Sequence, residues 1–527
     1  MASAMNEAND QRIAAQFQEL REKAARSFLL CVRPSDNDII IEFQYPDEQV
    51  RFSSMTTNVQ QNEPHYEQVM AIIGEVLAQN HVQLEHFYLA ELNFRDNTYP
   101  QFWRGLAANR VLKEVDFYGV EFPNEPGVTR FLASPSLESL NMVICTFPQG
   151  TFGSFCQSIQ ASHIKKLTFN NSSHAPGVSW SLLWTALQRG ATCLESLDFS
   201  FVNHPIPGIE NGFESFLTNN TTIQSLYLRG DYRGHDNLSF VVALGHGLAV
   251  NTTVKILDIR FLPPEGNEAV MNRLIQTVFA EGLEQNMTVE SLSVSDMVSP
   301  ECVNCLVDSL ERMMRNRANT AIRDGHDRGG SLPVLKQLDL CCFMDPSNDD
   351  AGPAATRDQF FDRLLQSDVI LVEKVTSYLP PTVSNLSSKV YDFIGSTRVT
   401  KVLALGMEPD APHDSECIGL ANAMEMNNSI SKLQLEGVRF HMATDLLLSP
   451  NTYRIRCQCR RNEIQVQTLR NDVNLSLLPL ALARLLSSDG RATNDDDKDG
   501  EIEARQLVDR TIAFQVLRDM PALFAVC

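Results

Sequence analysis

The chain has 527 residues, 44 Lys+Arg against 65 Asp+Glu, a formal net charge of −21 and 43% hydrophobic positions. That profile describes a globular protein with enough apolar material for a core, and it excludes a generic nucleic-acid binder: so acidic a chain repels phosphate and carries no compensating basic block. No apolar run approaches the ~18 residues that cross a bilayer, and no secretory h-region opens the sequence, so the expectation is a cytoplasmic protein without membrane contact.

In chain order, MASAMNEANDQRIAAQFQELREKAARSFLL reads as an amphipathic helix, and Ile39, Ile41 and Phe43 alternate with other residues as a short strand does. Residues 1–64 are therefore expected to form an N-terminal helix and strand cap. From Leu84 onward one six-residue segment recurs, starting at Leu84, Leu112, Leu137, Ile164, Leu194, Ile223, Val254, Val289, Leu335, Val399 and Ile430. Each has apolar residues at its first and fourth positions, and all but the tenth, with Ala404, have a large apolar sixth. Between segments the hydrophobic period changes from two to about 3.6. Val69, Ile72, Ile73, Val76 and Leu77 share one helical face, as do Trp180, Leu183, Trp184 and Leu187, and Val270, Leu274, Val278 and Leu283. The repeating unit is a strand followed by a helix, over 65–455. Asn-hydroxyl turns precede several strands (Asn220-Thr221-Thr222, Asn251-Thr252-Thr253, Asn286-Met287-Thr288, Asn428-Ser429), where Asn is expected to close the helix in the left-handed conformation.

Two intervals exceed a plain repeat. Insertions are expected near 315–332, an exposed Gly/Asp/Arg-rich loop, and 345–398, where a polar loop over 345–356 precedes helical patterns near 357–378 and 386–395 and where one weak repeat could be hidden. Residues 456–527 are expected to form a C-terminal helical cap around an acidic loop at 489–503.

The recurring L-x-x-L-x-L after N-T-T resembles the leucine-rich repeat of the ribonuclease-inhibitor type. The resemblance implies an α/β leucine-rich-repeat solenoid, a horseshoe with parallel strands on its concave face and helices on its convex face. The ending Phe514-Gln-Val-Leu-Arg-Asp-Met-Pro-Ala-Leu-Phe524 is also similar to that of large leucine-rich-repeat proteins of photosynthetic protists. The family places Asn or Cys at the ninth position, whereas here Leu92, Val120, Cys145, Ser172, Val202, Asp231, Leu262, Met297, Phe343, Met407 and Val438 stand there, so the turns are expected to be held by packing.

Alternation along a strand directs positions four and six to the core and three, five and seven to the open face. The fifth-position stripe is Tyr88, Asp116, Asn141, Thr168, Asp198, Tyr227, Asp258, Ser293, Asp339, Leu403 and Gln434, and Tyr118, Asn170, Arg229 and Arg260 follow at the seventh. Tyr and Arg are enriched at interface hot spots, which makes Tyr88, Asp116, Tyr118, Asp198, Tyr227, Arg229, Asp258, Arg260 and Asp339 the candidate partner-binding residues. The expected function is a non-catalytic scaffold or adaptor whose protein partner carries a basic patch matching the net charge. No phosphate-binding loop, zinc-hydrolase helix or nucleophile elbow is present, and Gly245-His246-Gly247 lacks the third glycine of a dinucleotide fingerprint, so no enzyme is expected. Cys302-x-x-Cys305 follows Ser299-Pro300 at an expected helix start, where a dipole could lower a thiol pKa. The alternative function is calcium-responsive regulation through an EF-hand-like loop at 495–506: Asp495, Asp497, Asp499 and Glu501 offer alternating carboxylates about Gly500, although Gln506 stands where the bidentate Glu belongs. No other cofactor is expected.

Overall fold

The computed structural model describes stretches of the chain between residues 15 and 436. Residues 1–14, 437–527 and shorter intervals (among them 45–51, 58–63, 91–98, 202–207, 232–237, 263–275, 296–299, 324–333, 342–350, 379–385 and 407–413) lie outside the described residues. The expected C-terminal cap at 456–527, with the expected acidic loop at 489–503, lies outside the described residues. The chain divides into two compact units, Met1–Asn267 and Glu268–Cys527.

The first unit runs β1 (Leu29–Pro34), β2 (Ile39–Gln44), β3 (Phe52–Thr57), α1 (Pro64–Ala78), β4 (His86–Ala90), α2 (Pro100–Ala108), β5 (Glu114–Tyr118), α3 (Pro126–Leu132) and β6 (Ser139–Val143). It continues with β7 (Thr146–Phe147), α4 (Thr151–Gln160), β8 (Lys166–Asn170), β9 (Ser173–His174), α5 (Ser181–Gly190), β10 (Ser196–Phe201), α6 (Phe213–Asn219), β11 (Ser225–Asp231), α7 (Leu238–Val250) and β12 (Ile256–Leu262). Its sheet is ordered β12-β11-β10-β8-β6-β5-β4-β1-β2-β3, parallel from β12 to β1 and antiparallel over β1-β2-β3. Parallel neighbours joined by a helix each time form a solenoid-like repeat of strand and helix. The helix expected to run through Leu30 ends earlier: residues 18–24 are helical, and Leu29 opens β1, which pairs in parallel with β4, Leu30 beside Phe87 and Val32 beside Leu89. Leu30 and Val32 thereby extend the buried fourth and sixth columns by one strand.

Those two columns are the core. Phe87, Leu89, Val115, Phe117, Leu140, Met142, Leu167, Phe169, Leu197, Phe199, Leu226, Leu228, Leu257 and Ile259 are all buried. Aromatic rings from strands and helices join them in one chain of contacts, in which Phe122 stacks on Phe147 at 4.8 Å, Trp180 meets Phe199 edge-on at 5.1 Å and Trp184 reaches Phe213 at 4.9 Å. Each fully buried ring of this kind removes large apolar area from water, and truncating one costs ~3–5 kcal/mol. Helices pack closely where side chains are missing: a Cβ on Gly105 would lie 1.9 Å from Gly74 O, and one on Gly127 would lie 2.7 Å from Trp103 Cβ.

The turns into the strands are held by buried asparagine side chains. Asn109, Asn220, Asn251, Asn286 and Asn427 each stand three residues before the first segment position, and each accepts at Oδ1 from the backbone N–H of that position and of the residue before it, as in Leu112 (2.7 Å) and Val111 (2.8 Å) for Asn109, or Ile430 (2.6 Å) and Ser429 (2.8 Å) for Asn427. Nδ2 donates back to the previous helix, from Asn109 to Leu77 O at 2.6 Å, Asn251 to Leu217 O at 2.7 Å and Asn427 to Ile394 O at 2.7 Å. This corrects the expected left-handed closure: Asn220 sits at φ −71, ψ 133, and the side chain rather than the backbone does the capping. At the ninth position packing is not alone either, since Cys145 N–H donates to Ser172 Oγ at 3.1 Å and Ser172 Oγ to Met142 O at 3.1 Å.

A charge ladder crosses the strand starts. Second-position residues Glu85, Lys113, Glu138, Lys165 and Glu195 follow one another on adjacent strands, linked through backbone N–H to carbonyl bonds of 2.7–2.8 Å. Lys113 Nζ lies 2.7 Å from Glu85 Oε1 and Lys165 Nζ 3.1 Å from Glu138 Oε2.

The second unit contains α8, a π-helical turn (Thr277–Leu283), then β13 (Ser291–Ser295), α9 (Pro300–Arg323), β14 (Leu335–Cys341), α10 (Ala351–Gln366), β15 (Val372–Tyr378), α11 (Ser388–Ser396), β16 (Val402–Gly406), α12 (Asp414–Met426) and β17 (Lys432–Glu436). Its strands run parallel in the order β13-β14-β15-β16-β17. Three expectations change here. Arg315–Arg323 is helical rather than a loop, because buried Met313 and Met314 and the inward Arg317 extend the apolar face of α9; Arg317 Nη2 donates to Val289 O at 2.9 Å and Asn286 O at 3.2 Å. Residues 351–366 form α10, and 372–378, expected within a helix, form β15 between β14 and β16. That strand escaped the repeat because its sixth position is Ser377, buried beside Leu340 and Leu405. The tenth segment shifts by one residue, since Leu403 pairs with Val375 and Leu433 and its frame therefore starts at Thr400. A one-residue shift exchanges the two faces of a strand.

Candidate functional site

On the first unit, pairing register sets the open-face residues side by side. At the fifth position Tyr88 lies beside Asp116, then Asn141, Thr168, Asp198, Tyr227 and Asp258 on successive strands. At the seventh, Tyr118 lies beside Val143, and Ser200, Arg229 and Arg260 follow one another across β10, β11 and β12. Strand spacing of ~4.8 Å brings each pair into cross-strand contact distance. All the fifth-position residues from Tyr88 to Asp258 are half-buried, as are Tyr118, Arg229 and Arg260. The stripe is thus a shallow, partly desolvated surface in which charge is weakly screened.

Its electrostatics centre on Asp198. Burial pushes the Asp198 carboxyl above its ordinary range, with Arg229 drawing it down and Asp258 pushing it up. Arg229 Nη2 is 3.9 Å from Asp258 Oδ2, a loose ion pair that leaves the guanidinium without a close bidentate contact. Asn141 Oδ1 and Asp198 Oδ1 are buried acceptors with no hydrogen-bond partner among the described residues. A buried acceptor in that condition costs ~1–3 kcal/mol relative to a satisfied one. At the other end of the unit His86, at a third position, lies on the open face as the alternation requires and holds Asp116 with Nε2 2.7 Å from Oδ2. The strand register, which pairs Tyr88 with Asp116, brings His86 diagonally against that carboxylate.

The second unit places Asp339 at the fifth position of β14, beside Ser293 and Thr376. Asp339 Oδ1 and Thr376 Oγ1 are likewise buried without a partner among the described residues, and Gln337 Nε2 donates to Asp339 Oδ2. Leu403, expected on the open face, belongs to the core at 0% exposure, and Ala404 takes the fifth position in its place.

Other singled-out residues resolve into packing. Burial raises the Cys305 thiol to about 11, against the lowering that a reactive Cys-x-x-Cys requires, and Cys302 is buried in α9. Gly247 faces Leu217, whose Cβ is 2.9 Å from where a Gly247 Cβ would stand, so the glycine lets α6 and α7 approach. Asp495, Asp497, Asp499 and Glu501 lie outside the described residues. Among the described residues no group of three or more His, Cys, Asp or Glu is arranged to hold a metal ion, and no helix is long and apolar enough to cross a membrane. No protein-family model matches the chain, and no curated protein is significantly similar to it.

Proposed function

We propose that this protein is a non-catalytic recognition scaffold of the cytoplasm, a leucine-rich-repeat solenoid of the ribonuclease-inhibitor type whose strand face forms the concave binding wall. The reading is carried by the fifth-position stripe of the first unit, where half-buried Tyr, Asp, Asn and Thr residues stand side by side on successive strands and where Asn141 and Asp198 hold acceptor oxygens without a partner among the described residues. A protein partner presenting Lys or Arg suits the partly exposed carboxylates of Asp116 and Asp258, and a net charge of −21 steers such a partner in diffusional encounter. The tyrosines then supply rigid apolar area beside the ionic contacts.

The test starts from a cross-linked pull-down in host lysate, followed by binding measurements on the purified partner. Because Asp198 is largely buried, it is replaced isosterically as Asp198→Asn and combined with the charge reversal Asp258→Lys. The expected result is about a tenfold or greater loss of affinity with a shallower salt dependence. Equal affinity and equal salt dependence would remove the strand face from the interaction.

A further inference from the structure

The helix side of the first unit carries a feature of opposite charge to the chain as a whole. A cavity of about 400 Å³ opens between α2 and α3, and three arginines, Arg104, Arg110 and Arg130, line it. Several other cations of this unit are matched by acids: Lys113 pairs with Glu85, Lys165 with Glu138 and Arg229 with Asp258. Arg104 and Arg130 are exposed and make no hydrogen bond or ion pair with any described residue. Arg110 is anchored at the end of α2, where Nη1 donates to Ala107 O at 3.2 Å and Asn109 O at 3.4 Å and the main-chain N–H donates to Asn80 Oδ1 at 2.5 Å. That fixes its position and leaves Nε and Nη2 free to donate. The floor is built of small residues, Ala108, Gly127 and Ala133 among them, so a ligand backbone can lie close to the helices. Gly127 is required there by the Trp103 side chain behind it, which makes the floor a fixed product of core packing.

We propose that this groove is an oxyanion-binding site for a short acidic segment of another protein, with the three guanidiniums gripping a carboxylate cluster or a phosphoryl group. Guanidinium presents paired N–H donors that match both oxyanions bidentately, and the volume lies in the range of peptide side-chain and small-ligand pockets. A long polyanion is disfavoured, because beyond the groove it would run over a chain of net charge −21. A peptide with one focal cluster meets only the basic groove.

The experiment uses the full chain and three fluorescein-labelled nonapeptides of identical flanks, with a central triple Glu, a central phosphoserine or a central triple Gln, read by anisotropy at low and high salt. The acidic or the phosphorylated peptide binds, the Gln peptide does not, and Arg104→Gln with Arg130→Gln weakens binding by about tenfold or more. Binding of the Glu peptide assigns the site to carboxylates; binding of the phosphoserine peptide alone, displaced by inorganic phosphate, assigns it to phosphoryl groups. Both arginines are exposed, so the double variant keeps its fold, checked by circular dichroism. The strand-face variant Asp258→Lys retains peptide affinity, which separates this site from the one proposed above. Failure of both acidic peptides to bind at about 1 mM, undiminished affinity in the double variant, or tighter arginine-dependent binding of an oligonucleotide overturns the proposal.

Discussion

Replacing Asn251 with Ala deletes the bonds that hold one turn, among them Nδ2 to Leu217 O at 2.7 Å, and those that Oδ1 accepts from Thr253 N at 2.9 Å, Val254 N at 2.8 Å and Thr253 Oγ1 at 3.4 Å. Leu217 and Val254 are fully buried, so their carbonyl and N–H stay dry and unpaired, at ~1–3 kcal/mol each, whereas half-buried Thr253 recovers a bond to water. The sum is about 4 kcal/mol, near a thousandfold in the unfolding equilibrium of this unit. The chain's three tryptophans, Trp103, Trp180 and Trp184, all belong to the first unit, so tryptophan fluorescence during urea denaturation reads its unfolding selectively. Asn219→Ala is the control: exposed Asn219 bonds only to Ser215 within its own helix, and its loss is expected within ~0.5 kcal/mol of wild type. A midpoint for Asn251→Ala indistinguishable from that of Asn219→Ala would refute the reasoning, since both variants make the same chemical change in the same unit.

Asp198→Asn is expected to stabilise the first unit at neutral pH. The folded carboxyl titrates above its unfolded value, so its stabilising contribution is present at acid pH, below the unfolded pKa, and is lost as pH rises through the folded pKa; the variant's advantage over wild type should shrink as denaturation curves are taken toward pH 3.5, and an advantage that grows there instead contradicts the assigned cause. Burial raises the thiols of Cys145 and Cys156 to about 12, so iodoacetamide mapped by mass spectrometry at pH 8 should label half-exposed Cys193 well before either. Early modification of Cys145 would show that the turn it occupies opens in the native state. Because Gln506 replaces the bidentate loop ligand, calorimetric titration of the full chain should give no saturable heat at millimolar calcium; a micromolar isotherm lost in Asp495→Asn would establish the regulatory alternative.

The strand columns were legible because two-residue alternation and a fixed six-residue frame survive in any sequence that buries one face. Legibility failed where a residue satisfied the frame by accident or broke it without unfolding the strand. Val399 and Val402 imitate positions one and four, so only the pairing of Leu403 with Val375 reveals the true frame. Ser377 lacks the apolar sixth side chain, and β15 vanished from the alignment with it. The asparagines are visible in the sequence, but an Asn beside a hydroxyl residue signals a left-handed backbone and a side-chain cap equally; Asn109, with Arg rather than a hydroxyl residue after it, lacks even that signal although it caps its turn as Asn251 does. The arginine groove had no sequence signature, since Arg104, Arg110 and Arg130 share no period and meet only through the packing of α2 on α3.

The alternating charges at the strand starts constrain how such an array can change length over evolution. With Glu85, Lys113, Glu138, Lys165 and Glu195 in succession, duplication or deletion of a single unit sets two like charges on neighbouring strands, each worth a fraction of a kcal/mol against the wrong arrangement. Gain or loss of two consecutive units preserves the alternation. Parity, rather than unit count, is what this edge of the sheet inherits.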